Sequence, residues 1–246
     1  MTLDRATLRS AIVAAGIALA GILVGNGFVR AKAADRYVTV KGVSEREVKA
    51  DLAIWPLHLV GADNNLATAN AKLNKSASDV RAFLARHGVD TTQIQMTNFS
   101  ATDLLANQYG PNRTPPNRYI VHQTVLVRST RPDQVLAASQ QVGELAAIGV
   151  IISSGDGGDG GAGGGPTFVF SGLNKLKPEM IADATARARE AATQFARDSH
   201  SDVGAIRQAN QGVFEILARD QAPGISESSQ IAKIVRVVST IDYYLR

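Results

Sequence analysis

The sequence predicts an α+β fold: antiparallel β-sheet modules with about three helices packed on one face, behind an N-terminal transmembrane or signal helix. Three observations carry this. Residues 11–29 form a 19-residue run without a formal charge, rich in Ala, Gly, Ile, Leu and Val. From residue 36 onward, runs with the period-two hydrophobicity of strands alternate with runs of helical period. Those strand-like runs come in pairs broken by single helices, the pattern of helices laid on one face of antiparallel sheet.

The leader comes first. As a helix the uncharged run spans about 28 Å, against a hydrocarbon core of about 30 Å. A signal-anchor over 11–30, behind a short cytoplasmic N-terminus at 1–10, is the expectation. A cleaved signal peptide, with Ala31-Lys32-Ala33 as its small-x-small site, is the alternative. Arg5 and Arg9 on one side face Arg30, Lys32 and Arg36 on the other, so charge bias does not set the orientation. On either reading the body, residues 36–246, is expected to work outside the cytoplasm.

Within the body, 37–43 reads as a strand followed by a polar turn at 44–49. Ala53, Trp55, Leu57 and Leu59 then occupy every second position, as in a half-buried strand. Pro56 cannot donate to a ladder, so that strand is expected to lie at an edge or carry a bulge. Asp63 or Asn64 caps a helix on which Leu66, Leu73, Ala77, Val80 and Leu84 recur, with Gly88 at its stop. Residues 94–101 read as a strand and 107–117 as a loop or long hairpin tip. A strand at 119–128 leads into a short helix opened by Thr130-Arg131-Pro132 and carrying Val135, Ala138 and Val142.

Residues 148–153 are apolar enough for a buried strand, 155–165 form a glycine-rich hairpin loop, and 167–171 the returning strand. Pro178 is expected to begin the most regular helix, with Ile181, Ala184, Ala188, Ala192 and Phe195 on one face; these small residues imply close approach to a sheet. Strands near 205–216 and 231–245 finish the chain. The last is long and alternating, so it must be paired internally or offered to a neighbour.

Composition removes whole classes of chemistry. Without cysteine there are no disulfides, zinc–thiolate sites, iron–sulfur clusters or thiol nucleophiles. The pI of about 9.5 invites a nucleic-acid reading. Yet residues 1–33 hold Arg5, Arg9, Arg30 and Lys32 against Asp4, so most of the net charge of +4 lies in the leader. The body has no long basic run to neutralise a row of phosphates, and nucleic acid is not an expected partner.

His58, His87, His122 and His200 show no metal-binding spacing, although His58 and His122 could meet across a sheet. His87 and His200 fall at helix C-termini, where the macrodipole favours histidine. No G-x-S-x-G elbow is present, and Asp51, Asp63 and Asp79 sit in different settings. The glycine stretch lacks the Lys-Ser/Thr of a phosphate loop and precedes a strand, which marks it as a solvated hairpin tip. No catalytic, cofactor-binding or metal-binding residue is expected, and the chain is not read as an enzyme.

One further signal lies in the order of soft motifs. Tyr37-Val38-Thr39-Val40-Lys41-Gly42-Val43-Ser44 leads through a polar segment to Ala50-Asp51. An Ala/Asn-rich helix at 67–75 and the exit Gly88-Val89-Asp90 follow. An Ala/Arg-rich helix at 184–196 precedes Val203-Gly204-Ala205-Ile206, and Lys233-Ile234-Val235-Arg236-Val237-Val238 lies near the end. In this order and spacing residues 36–246 resemble the SIMPL-domain family of bacterial envelope proteins, in its membrane-anchored branch. Ser44, where many members have Gly, and the glycine-rich loop depart from the pattern.

The resemblance implies an exported, α+β, oligomerising protein, with some members linked to oxidative-stress tolerance, and supplies no catalytic residues. The expectation is therefore a non-enzymatic envelope protein, anchored in the inner membrane with its body in the periplasm. It would self-assemble into a homo-oligomeric ring or scaffold, without cofactor; the strands holding Trp55 and Tyr243 are the candidate interfaces, with simple core packing as the equal alternative for those residues. The alternative is a periplasmic small-molecule or lipid-binding module using the concave side of the sheet. An enzymatic reading requires His58 or His122 to sit beside an acidic or hydroxyl partner in a cleft.

Overall fold

The computed structural model describes residues 5–34, 36–106, 116–153 and 165–246, with side chains of the first helix described over 13–27. That helix, α1, spans Arg5–Ala34. The body then runs β1 (Tyr37–Lys49), β2 (Leu52–Asp63), α2 (Leu66–Arg86), β3 (Ile94–Asp103), β4 (Tyr119–Ser129) and α3 (Pro132–Gln140). It continues through α4 (Gly143–Ala147), β5 (Ile152–Ser153), β6 (Thr167–Val169), α5 (Leu173–Asp198), β7 (Val203–Gln211), β8 (Glu215–Ala218) and β9 (Ala232–Leu245). The fold is α+β with two antiparallel sheets, as the alternation of periods predicts.

The leader departs from expectation. Every described side chain of α1 is exposed, and Val13, Ile17, Leu19, Ile22, Leu23 and Val24 are 60–72% exposed. Among the described residues no helix is long and apolar enough to cross a membrane. Residues 13–27 rise about 22 Å, short of the roughly 30 Å of a hydrocarbon core. The spanning helix expected over 11–30 is therefore not borne out there.

The chain forms two compact units: Arg46–Lys177 with Glu215–Val235, and Met1–Glu45 with Pro178–Phe214 and Arg236–Arg246. The first contains a five-stranded sheet in the order β3-β4-β2-β5, with β6 also paired to β2. β2 alternates between the core face (Ala53, Trp55, Leu57, Leu59) and the opposite face. It pairs with β4 from Ala53↔Ser129 to Asp63↔Tyr119. On its other side β6 covers Leu52–Ile54 and β5 covers His58 and Leu59. Pro56 thus lies in an inner strand, not at an edge. It is tolerated because neither β5 nor β6 reaches residues 55–57.

α2 buries Ala69, Leu73, Ala77, Val80, Phe83 and Leu84, the helical face that the periodicity predicts, while Leu66 stays outside it at 44% exposed. Its cap is Asn65, one position beyond the expected Asp63 or Asn64. The Asn65 side-chain oxygen accepts the N–H groups of Ala67 at 2.9 Å and Thr68 at 3.2 Å. Gly88 ends the helix with φ of 74°, a left-handed conformation that glycine adopts without strain.

Two further expectations change in this unit. The strand expected over 148–153 shrinks to Ile152–Ser153. Gly149 turns there with φ of 84°, and Ile148 and Ile151 are exposed. Of the loops expected at 107–117 and 155–165, residues 107–115 and 154–164 lie outside the described residues.

The second sheet has the order β1-β9-β7, with β8 also on β9. Here α5 turns a stripe of small residues inward: Ala184, Ala188, Ala192 and Ala196, with Met180. A Cβ on Gly42 of β1 would lie 1.8 Å from the Ala184 carbonyl oxygen and 2.6 Å from the Ala188 nitrogen. That is the close approach implied by the small residues of the helix. α5 begins at Leu173, so Pro178 lies inside it and does not open it. Phe195 is 57% exposed and Ala196 takes its place in the stripe.

β1 continues unbroken through 44–49, where a turn is expected from composition. The polar residues there alternate: Ser44 is buried while Glu45, Glu47 and Lys49 face outward. The turn falls at Ala50–Asp51, where Asp51 accepts the Ser171 N–H at 2.9 Å and its hydroxyl at 2.8 Å. The strand expected over 205–216 is divided into β7 and β8 after Gln211, and at Gly212 an added Cβ would meet the Val238 carbonyl oxygen at 2.5 Å. β9 is paired internally, to β1 and β7.

Candidate functional site

The β2–β4 register sets His58 opposite Thr124 and His122 opposite Val60, two positions away along each strand. They are diagonal neighbours on the face turned from the core, where His122 is exposed. His58 Nδ1 lies 3.0 Å from the Thr124 hydroxyl. An enzymatic role requires a cleft, and neither histidine lines any of the hollows described below.

His87 caps the C-terminus of α2, packs at a tilt against the Phe83 ring with centroids 4.5 Å apart, and approaches the Glu144 carboxylate at 3.5 Å. His200 follows α5 with φ of 54°. Among the described residues no group of three or more His, Asp or Glu side chains could hold a metal ion.

The carboxylates fasten structure at separate places. Asp63 pairs with Lys72 at 2.7 Å, a contact that holds its carboxyl below the usual range. Asp103 receives Arg118 through Nε at 3.1 Å and Nη2 at 2.8 Å, and is lowered for the same reason. The Thr92 N–H does this for Asp90, at 2.9 Å. Asp79 lies 3.7 Å from Lys75, one helical turn away.

One polar feature escaped sequence reasoning. Lys233 is fully buried and its ammonium donates to the Glu227 backbone carbonyl at 2.7 Å and to the Glu227 carboxylate. The signal was present, because Lys233 has the same strand parity as Val235, Val237 and Ile241, all inward-facing.

Trp55 and Tyr243 are 1% and 0% exposed. Their side chains belong to the cores of the two units, the simple core packing that is the alternative to an interface role for these residues. Tyr243 also carries the Arg189 guanidinium 5.6 Å from its ring centre.

Four hollows stand out. Three are lined by charges: Asp90, Arg128 and Arg131; Lys72, Lys75 and Asp79; and Arg189, Arg197 and Asp202. The fourth, about 440 Å³, lies beside Trp55 and Leu57 under the α3–α4 turn. It has no charged residue among its described lining.

The model of SIMPL, described as a protein of unknown function (DUF541), matches residues 38–235. The chain belongs to the SIMPL family. No curated protein matches it. The matched stretch starts in β1 and ends in β9, taking in α2 to α5 and the whole five-stranded sheet. SIMPL membership associates the chain with periplasmic and envelope proteins.

Proposed function

We propose that this SIMPL protein is a non-enzymatic, self-assembling component of the bacterial envelope, held at the inner membrane by its N-terminal helix with its body in the periplasm. The observation that carries the placement is the family match over 38–235. The leader supports it: large apolar side chains of α1 stand 60–72% exposed, an arrangement costly in water at about 25 cal/mol per Å² and relieved in lipid. Residues 11–29 also supply a longer uncharged run than the described side chains alone.

Assembly is supported by open sheet edges. β3 closes one end of the five-stranded order, and β1 and β7 are the two ends of the other. Each leaves one row of backbone groups without a strand partner among the described residues, ready to pair with another chain. A scaffold or ring built on these edges needs no catalytic group. A part in oxidative-stress tolerance, implied by the family resemblance, belongs to the same reading.

The test is the absolute mass in solution of residues 36–246, by light scattering behind size exclusion. A defined multimer is expected; a monomer at micromolar concentration removes assembly as a property of the body. Alkaline carbonate extraction of membranes carrying the full chain tests the anchor, which requires the protein to stay in the pellet.

A further inference from the structure

The hollow beside Trp55 is not called on by the proposed assembly or anchoring, and it lies where the pairing of β2 is discontinuous. On the side away from β4, β6 stops at Ile54 and β5 starts at His58, and no described strand covers 55–57. Pro56 occupies that interval without an N–H, so a strand running through would forfeit a ladder hydrogen bond. Trp55 and Leu57 point from the same interval to the core face, and Val142, Gly143 and Ala146 line the hollow opposite them. About 440 Å³ is left, within the range of roughly 300–1,000 Å³ typical of small-molecule sites.

The lining defines the ligand. Apart from two hydroxyls, Ser139 and Ser153, and the indole N–H of Trp55, the described side chains are apolar or absent. Ser139 already donates to the Leu136 carbonyl at 2.8 Å, so it meets a ligand as an acceptor. A charged ligand would shed water here and gain no counter-charge from the described lining, whereas each of the three other hollows offers one. We propose that this hollow is a binding site for a small, uncharged, mainly apolar molecule with one or two polar groups. The proposal is independent of assembly, since it concerns the interior of the five-stranded unit alone.

Two built-in features make the site testable. Trp55 is the only tryptophan of the chain, so its emission reports on this place. A Cβ on Gly143 meets no atom within 4 Å, so a larger side chain there has room to enter the hollow.

The experiment titrates the full-length protein, in one fixed non-ionic detergent, with N-phenyl-1-naphthylamine. In parallel it uses 1-anilinonaphthalene-8-sulfonate, which has the same ring skeleton with a sulfonate added. Energy transfer from Trp55 is the readout. Saturation at one neutral probe per chain is expected, with at least tenfold weaker transfer-detected binding of the sulfonate. Gly143→Phe and, as a second filling variant, Ala146→Phe should each weaken the neutral probe at least tenfold while circular dichroism stays unchanged. No saturable transfer, equal binding of the two probes, or undiminished binding by a folded filling variant would overturn the proposal.

Discussion

In the five-stranded unit α2 meets its sheet through large side chains, Leu73, Val80, Phe83 and Leu84, each fully buried against Trp55, Leu57 and Leu59. In the other unit α5 meets the sheet mainly through the methyl groups of Ala184, Ala188, Ala192 and Ala196, with Met180 its one large buried side chain, and the sheet supplies bulk as Ile241 and Tyr243. Both units set a strand glycine beneath the helix. Gly61 lies under Ala69, where a Cβ would come within 2.5 Å of the carbonyl, and Gly42 lies under Ala184, where the distance is 1.8 Å. Interiors are packed to a fixed density, so volume withheld by one layer must be supplied by the other or removed by closer approach. One unit fills its interlayer space with helix side chains; the other closes it.

Removing bulk from the filled unit should have the largest effect. Phe83→Ala deletes a fully buried ring that also packs against the His87 ring. A loss of about 3–5 kcal/mol is expected, read by urea unfolding followed through Trp55 emission. A loss below about 1 kcal/mol would mean that α2 can settle as α5 does, and the contrast would fail.

Adding bulk to the closed unit comes next. Gly42→Ala forces a methyl group against helix backbone, which cannot rotate away as a side chain can. It should cost on the order of 3 kcal/mol, the upper end of overpacking. Gly61→Ala has 0.7 Å more room by the same measure and should cost less. Equal drops in thermal midpoint for the two variants would erase the distinction between a filled and a closed interface.

The smallest effect expected is electrostatic, and it sharpens the comparison by locating the acid-sensitive part. Asp63, Asp90, Asp103 and Asp220 all have lowered pKa values, and all lie in the five-stranded unit. Hydrogen bonds from Lys72, the Thr92 N–H, Arg118 and Arg219 are the leading causes in turn. A carboxylate whose folded pKa is depressed adds stability that is fully present above its unfolded value, about 3.9. That stability is lost as pH falls through the folded value. Trp55 emission should therefore report a thermal midpoint falling below about pH 4, by less in Asp103→Asn and less again in high salt, since exposed pairs are screened. A midpoint indifferent to pH between 5 and 2 would show these pairs to be energetically silent.

Much of the fold was legible where one face of one element settles the matter. The alternation of Ala53, Trp55, Leu57 and Leu59 and the helical recurrence of Leu73, Ala77, Val80 and Leu84 each survive into the structure. Burial of one face imposes a period that neighbouring residues display directly. Composition misled where polar residues alternate within a strand. Residues 44–49 read as a turn because Glu45, Glu47 and Lys49 crowd the exposed face, although Ser44 faces inward. Pro178 read as a helix start because proline is favoured in a first turn, yet the chain was already helical from Leu173.

The candidate site was less legible than the fold. No local spacing brings Trp55 of β2 beside Gly143 and Ala146, which lie some 90 residues further along, and Trp55 read equally well as core or interface. By itself the sequence determined the alternation of strands and helices, the faces they bury, the absence of thiol chemistry and the apolar leader, because these depend on neighbours along the chain. Tertiary structure alone decided that Pro56 lies in an inner strand, that the buried Lys233 meets Glu227, that Gly42 meets helix backbone, and that a hollow with no charge in its described lining remains beside Trp55. Each of these depends on which distant segment arrives on the other side, and pairing and layer spacing are properties of the whole packed unit.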